Sequence, residues 1–410
     1  MTGGLPRPAP GTAAPPHRAA VLGDGWDGAD GAPDLRVGDD VPTLQAAVDA
    51  AGDMPKSRVV IQVPPGHHAG PVLVPPDGPK LTIRGPGAGR AALAARVEAQ
   101  MPGLEYAARY GAAFDRAAPA TRDLFARIAA RERLTTGNAA VLRIERDGTV
   151  VSGLTIRNDY ACDRPEAAPA GAVPDADGRY AEGQHQAVAV HVAGADRVRL
   201  TGLRLSSFQD TLYLQAPGRT LVETCEIEGD VDFIFGGGTA WFEDCEIRSR
   251  GLRGAPSWAL APSTNIRAPH GFVLCACRFI HDGAEAGRDG GFFLGRQWFE
   301  GVRATPYGTP DVPGYVARAA DRNVYRPPEG RISRATLEAV GKVMLVGCRI
   351  GGHVDPARPW DDWASGRWSP RFRPVQAGAG DFLRYLGNWL DREGLDYADL
   401  DPDEEWLVIR

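Results

Sequence analysis

Two aspartates stand in apolar, strand-like text: Asp210 within Phe208-Gln-Asp-Thr-Leu-Tyr213, and Asp232 between Val231 and Phe233. An acidic side chain in such a run is costly to bury unless it is paired, hydrogen-bonded or used. The two aspartates are 22 residues apart, and Gln186 precedes Asp210 by 24. Two carboxylates held about 5 Å apart cannot both ionise freely, so one of them titrates high. A carboxylate beside a guanidinium stays charged and can attack an ester carbonyl. Its protonated neighbour can give a proton to the departing alkoxide. Side-chain amides aimed at the carbonyl oxygen would serve as an oxyanion hole. This chemistry needs no cofactor, and no clustered His or Cys spacing suggests a metal.

A repeat must bring these residues together. Six segments share one pattern, ending at Ile156, Leu205, Ile227, Ile247, Phe279 and Ile350. Aligned on those ends, they give a second column (Leu154, Leu203, Cys225, Cys245, Cys277, Cys348) and a third (Val151, Leu200, Val222, Phe242, Leu274, Leu345). The middle column advances by 49, 22, 20, 32 and 71 residues, so the short steps are one coil and the long ones carry inserted loops. Short Val/Ile/Leu/Phe units that stack like on like at about 20 residues describe a parallel β-helix. Equivalent residues of adjacent coils then lie roughly 4.8 Å apart, which makes Asp210 and Asp232 neighbours. Gln209 is 23 residues from both Gln186 and Asp232, so spacing alone leaves open whether Gln209 or Asp210 shares the register of Asp232.

At 410 residues the chain exceeds the usual ceiling for one globular core, but a solenoid grows in one dimension, so one domain over 36–410 is expected. A formal charge of −6 argues against a general nucleic-acid binder. No stretch approaches a membrane span, and Ala19-Ala-Val-Leu22 is too short for a signal-peptide core. Residues 1–35, rich in Pro, Gly and Ala, read as a flexible arm. Thr43 can cap a short amphipathic helix with Leu44, Ala47, Val48 and Ala51 on one face, closing the open end of the solenoid. Residues 91–133 are Ala-rich with scattered Arg and Glu and suggest a helical insertion. Residues 158–185, 249–271, 281–291 and 299–342 are long excursions, and loops of this kind wall the grooves of β-helices. Phe382, Leu383, Leu386, Trp389 and Leu390 fit a covering helix at about 380–391.

Four signatures, Gln186-Ala-Val-Ala-Val190, Gln209-Asp-Thr-Leu212, Asp232-Phe-Ile-Phe-Gly236 and Leu294-Gly-Arg-Gln-Trp298, resemble those of the pectin methylesterases, and Ala261-Pro-Ser-Thr-Asn-Ile266 resembles the bacterial branch. The resemblance covers roughly residues 40–370. It implies an all-β, right-handed, single-stranded parallel β-helix of the pectin-lyase-like kind, which agrees with the columns. It makes Asp232 the nucleophile and Asp210 the general acid and later base. Arg296 would hold the Asp232 carboxylate, and Gln186 and Gln209 would stabilise the oxyanion. Tyr213, Phe235 and Trp298 match positions that line the sugar subsites. The activity implied is removal of methyl esters from a galacturonan chain by a metal-free, cofactor-free monomer. Alternatives are a carboxylester or acyl-CoA thioester hydrolase on the same aspartate pair, and a silent β-helix that only binds carbohydrate. Members are mostly secreted, although no export signal is visible here.

Some positions depart from the pattern. Gln297 stands where the family has Pro, a change expected to loosen the turn that places Arg296 and Trp298. His191 replaces a subsite aromatic or basic residue and reads as a wall residue rather than a catalyst. Thr135-Thr-Gly-Asn-Ala-Ala140 lacks the usual Ser/Thr-rich run. Stacked cysteines can reach disulfide range. Cys225–Cys245 is the pairing expected in an exported protein, and free thiols are expected in a reducing compartment.

Overall fold

In the computed structural model the described residues are 16–26, 28, 31–254, 256–308, 312–364 and 372–410. The columns close into a right-handed coil of three parallel sheets with ten, eight and seven strands. One coil runs Val198–Thr201, Arg204–Ser206, Leu212–Gln215, and the next runs Arg219–Glu223, Glu226–Gly229, Ile234–Gly236. Each segment pairs with its counterpart one coil on.

The repeat alignment is the structural register. Leu200 pairs with Val151 and Val222, Val222 with Phe242, Phe242 with Leu274, and Leu274 with Leu345. Leu205, Ile227, Ile247, Phe279 and Ile350 pair in the same unbroken order. These side chains point inward, are nearly all buried, and form one continuous core. Between the two columns the chain turns on a single left-handed residue per coil: Gly153, Gly202, Thr224, Asp244, Ala276 and Gly347 all have φ between 49° and 62°. Glycine takes that conformation without cost, whereas Thr224 and Ala276 hold it because the coils on either side fix the turn. The column Cys225, Cys245, Cys277 and Cys348 follows these turns as free thiols, so the Cys225–Cys245 disulfide is not formed. The Cys225 thiol donates instead to the carbonyls of Glu223 (3.3 Å) and Leu200 (3.6 Å).

A helix covers the N-terminal end of the coil. Helix α2, Leu44–Gly52, is capped by Thr43 Oγ1, which accepts from Ala46 N at 3.1 Å, and it buries Leu44, Ala47, Val48 and Ala51. The C-terminal helix Ala379–Arg392 buries Phe382, Leu386, Trp389 and Leu390. It packs on Ile266, Ile332, Leu337 and Val340 of the excursions, a second small core, rather than on the interior columns.

Two expectations are corrected. Of the expected arm over residues 1–35, residues 1–15, 27, 29 and 30 lie outside the described ones. Within the rest, helix α1, Arg18–Leu22, lies across the ten-stranded sheet with Val21 and Leu22 against Leu221, Trp241 and Val273. Arg18 adds bonds of 3.1 Å to Glu223 and to Glu243. The apolar run Ala19–Leu22 is long enough to bury on a wall. In the insertion, Ala91–Ala95 is a strand, because Ala91, Leu93 and Ala95 alternate inward and Leu93 stacks on Ile156. The helices are α3, Gly103–Phe114, and α4, Pro119–Ala129.

Phe242 is fully buried between the rings and side chains of adjacent coils. Phe242→Ala should lower unfolding free energy by about 3–5 kcal/mol. Equilibrium denaturation by urea, followed by circular dichroism, measures it.

Candidate active site

The turn that leads from the eight-stranded into the seven-stranded sheet carries the site. Leu212 pairs with Ile234 and Tyr213 with Phe235, so Asp210 and Asp232 occupy the same place in consecutive coils. Asp210 therefore shares the register of Asp232. Gln209 is bridged to Gln186 of the coil before. Both aspartates sit at left-handed backbone angles, φ 69° and 52°, which aspartate tolerates better than most residues but which still cost free energy. The Asp210 amide donates to Val231 O at 3.1 Å, tying one turn to the next.

Arg296 holds Asp232 with a two-pronged ion pair: Nε donates to Oδ1 and Nη2 to Oδ2, each at 2.8 Å. Fork-to-fork pairing of this kind fixes orientation as well as charge. The Asp210 carboxyl has no such partner. Burial pushes its pKa well above the ordinary carboxylate range, and the neighbouring Asp232 charge adds to the rise, while Arg296 opposes it. The two carboxyls thus sit in different settings: Asp232 in a doubly bonded ion pair, and Asp210 buried without one, its acid form favoured. Gln186 and Gln209 are half-buried beside them, and their side-chain amides make no hydrogen bond among the described residues; the buried Gln186 Oε1 is unpartnered. Their N–H groups remain available to an incoming oxygen.

Features invisible to local sequence reading hold Arg296. Its guanidinium lies between two indoles, 4.1 Å from the Trp258 ring and 4.4 Å from that of Trp363. Trp258 Nε1 in turn donates to Asp361 Oδ2 at 2.9 Å. Gln297 does not loosen the turn. It is buried, and its Nε2 donates to Gly341 O (3.0 Å) and Gln376 O (2.9 Å) while its Oε1 accepts from Gln376 N at 2.8 Å. The Gln376 side chain is clamped by Arg373, whose Nε donates to Oε1 at 2.9 Å. A second buried ion pair, Arg253 with Asp230 at 2.5 and 2.7 Å, braces the residue two before Asp232. No motif marks these partners: Arg253 and Asp230 are 23 residues apart, and Trp258 and Asp361 are 103 apart.

The expected subsite residues divide. Trp298 is half-buried, edge-on to Phe235 at 5.6 Å. Phe235 and Tyr213 are 2% and 6% exposed, stacked at 4.3 Å, and His191 stacks on Tyr213 at 4.2 Å. The Tyr213 hydroxyl donates to Glu300 Oε1 at 3.1 Å. These rings are covered rather than presented. Burial, together with the Arg143 guanidinium, pushes the His191 imidazole down to about 3, so it is a neutral wall residue. Among the described residues no group of three or more His, Cys, Asp or Glu could hold a metal.

The model of the Pectinesterase family matches residues 179–305, the stretch containing both aspartates, both glutamines and Arg296. A pectinesterase of Ralstonia solanacearum is 31% identical over 199 residues, 47% of this chain and 43% of that protein, so this match spans less than half of the relative's length. Pectinesterase B of Pectobacterium parmentieri is 29% identical over 341 residues, 78% of this chain and 79% of that one. Over this stretch the chain is similar to the pectinesterases. The structure of the rice weevil pectin methyl esterase shares the fold, with a TM-score of 0.67 at 21% identity over 97% of this chain and 90% of that chain. Within this fold the two indoles flank Arg296, the residue that holds Asp232.

Trp258→Leu should lower kcat roughly tenfold and leave KM nearly unchanged, because one cation–π face worth about 1–2 kcal/mol is removed from Arg296. Steady-state kinetics on a methyl ester substrate, with the unfolding midpoint as control, checks it.

Proposed function

We propose that the protein hydrolyses methyl esters of a galacturonan chain, with Asp232 as nucleophile and Asp210 as general acid and base. The observation that carries this reading is the division of the pair: Asp232 doubly bonded to Arg296, Asp210 buried, unpaired and raised well above the usual carboxyl range.

The Asp232 carboxylate attacks the ester carbonyl carbon, and the carbonyl oxygen takes on negative charge within reach of the Gln186 and Gln209 amides. The C–OCH3 bond breaks as Asp210 gives its proton to the leaving methoxide, releasing methanol and leaving an anhydride between Asp232 and the uronate. Asp210, now ionised, takes a proton from water as that water attacks the anhydride. The C–O bond to Asp232 breaks, the uronate acid departs and loses its proton to solvent, and both aspartates return to their first state. Arg296 keeps Asp232 aligned throughout. The residues needed are all supplied by this chain, and no cofactor is required.

Methanol release from highly methylated pectin, run beside short acyl esters and acyl-CoA, tests the assignment; release from the pectin alone is the expected result. Asp232→Asn keeps the shape of the side chain but cannot attack, so turnover should fall by about three orders of magnitude or more with the fold preserved. A residual rate above a few per cent assigns the nucleophile elsewhere.

Asp210→Asn should be inactive yet more stable than the parent at neutral pH. A carboxyl whose folded pKa lies above its unfolded value of about 3.9 holds its proton more tightly when folded, so ionisation weighs against the folded state as pH rises. The amide removes that penalty. The gain in Tm should be absent near pH 4, grow as pH rises, and level off above the pKa of Asp210. A Tm difference that does not depend on pH refutes it.

A further inference from the structure

A polymer that passes through a groove needs an open face on both sides of the reacting ester. Here the outward column of the seven-stranded sheet is Leu73, Arg143, His191, Tyr213, Phe235 and Ala261, taken in order of pairing from the N-terminal end. Leu73 and His191 are each 1% exposed, and the rings of Tyr213 and Phe235 little more. The loop Thr135–Asn138 lies over them: Gly137 O is 2.8 Å from His191 Nδ1 and accepts from Arg143 Nη1 at 2.5 Å. A Cβ on Gly137 would meet His191 at 3.5 Å and Tyr213 at 3.7 Å, so the loop is in contact with both rings. Glu300 closes over Tyr213 from the opposite excursion.

The cover is braced. Thr135 N donates to Ala99 O (2.8 Å), Leu134 N to Met101 O (3.0 Å), and Ala99 N to the carbonyl of Gln186 itself (2.9 Å). Behind this ribbon α4 is tied to the N-terminal cap, with Thr121 Oγ1 donating to Asp49 Oδ1 of α2 at 2.6 Å. On the other side of the aspartates, Trp258, Phe293 and Trp298 keep accessible surface.

We propose that the site is open on one side only, and that it takes the end of a methyl-esterified uronan chain, or a short esterified oligomer, in preference to the interior of a long chain. This rests on the ester-hydrolase reading above. A further sugar ring beyond the ester would have to occupy the space filled by residues 135–138, because the rings beneath offer no free face for stacking.

The test uses the full chain and one preparation of highly methylated pectin, divided and cut to increasing extents by an endo-acting pectin lyase, which makes new ends and leaves esters in place. Ester concentration is held constant after the lyase is inactivated. The initial rate of methanol release should rise in proportion to the number of chain ends. Mass spectrometry of a short, fully esterified oligogalacturonate should show loss beginning at one terminus. A rate per ester that is independent of chain ends, with loss at internal positions, overturns the inference and leaves the esterase reading intact. No methanol from any preparation defeats the esterase reading, and this one with it.

Discussion

Parallel pairing places Asp210 one interstrand step from Asp232, and the rest of the site answers the repulsion this creates. Two unit charges about 5 Å apart at an effective dielectric near 20 repel by roughly 3 kcal/mol. A single neutral hydrogen bond, worth about 1 kcal/mol net, does not offset that. Either a full positive charge must be supplied or one proton must stay. The structure has both: Arg296 on Asp232, and a buried Asp210 whose acid form is favoured. One geometric accident of the solenoid, like residues stacked on like, thus puts two identical side chains in different settings, those proposed for a nucleophile and a proton donor.

Delivering Arg296 is the harder task, because it comes three coils on from Asp210 and its neighbours are not regular. Strand Phe293–Gly295 ends the seven-stranded sheet and pairs only on one side with Trp258–Pro262. Its free edge is bound by residues 353–361: Phe292 N to His353 O, Leu294 N to Pro359 O, and Asp361 N to Gly295 O, at 2.8 to 3.0 Å. Beyond the strand, Gln297 ties the turn to Gly341 and Gln376. Proline would preset φ at this position, but it could make none of these bonds. Hydrogen bonding from a glutamine replaces covalent restraint. It works because Arg373, fully buried and bonded to the same Gln376, leaves that partner no alternative arrangement.

What the sequence disclosed and what it hid follow from the range of the interactions. The inward columns repeat every coil, so each residue predicts its neighbour, and Phe242 could be placed between Val222 and Leu274 without coordinates. The catalytic register was legible to within one residue. It was decided by pairing at Leu212 and Ile234, which spacing alone could not weigh against Gln209. Composition misled at Ala91–Ala95, where alanine suggests helix while alternate burial makes strand. The indole pair around Arg296 left no local trace, since Trp258 and Trp363 are 105 residues apart and each looks like an ordinary packing residue. Burial of Tyr213 and Phe235 was hidden for the same reason: their own strands say which face they occupy, while loops at 135–138 and 298–300 decide whether that face is open.

Both aspartates adopt left-handed backbone angles, and each such residue costs on the order of 1–2 kcal/mol. In an isolated turn that strain would relax. In a coil it cannot, because the Asp210 amide is bonded to Val231 O, the Val231 amide to the Asp230 carboxylate at 2.6 Å, and that carboxylate to the buried Arg253. The three links run from one coil through the next to a surface excursion, so both turns are tied into a chain of hydrogen bonds anchored on a buried ion pair. Breaking a buried pair costs about 3–5 kcal/mol, more than the relaxation returns. The stacked core fixes where the aspartates can be. The ion pair at Asp230 anchors the turns that carry both carboxylates.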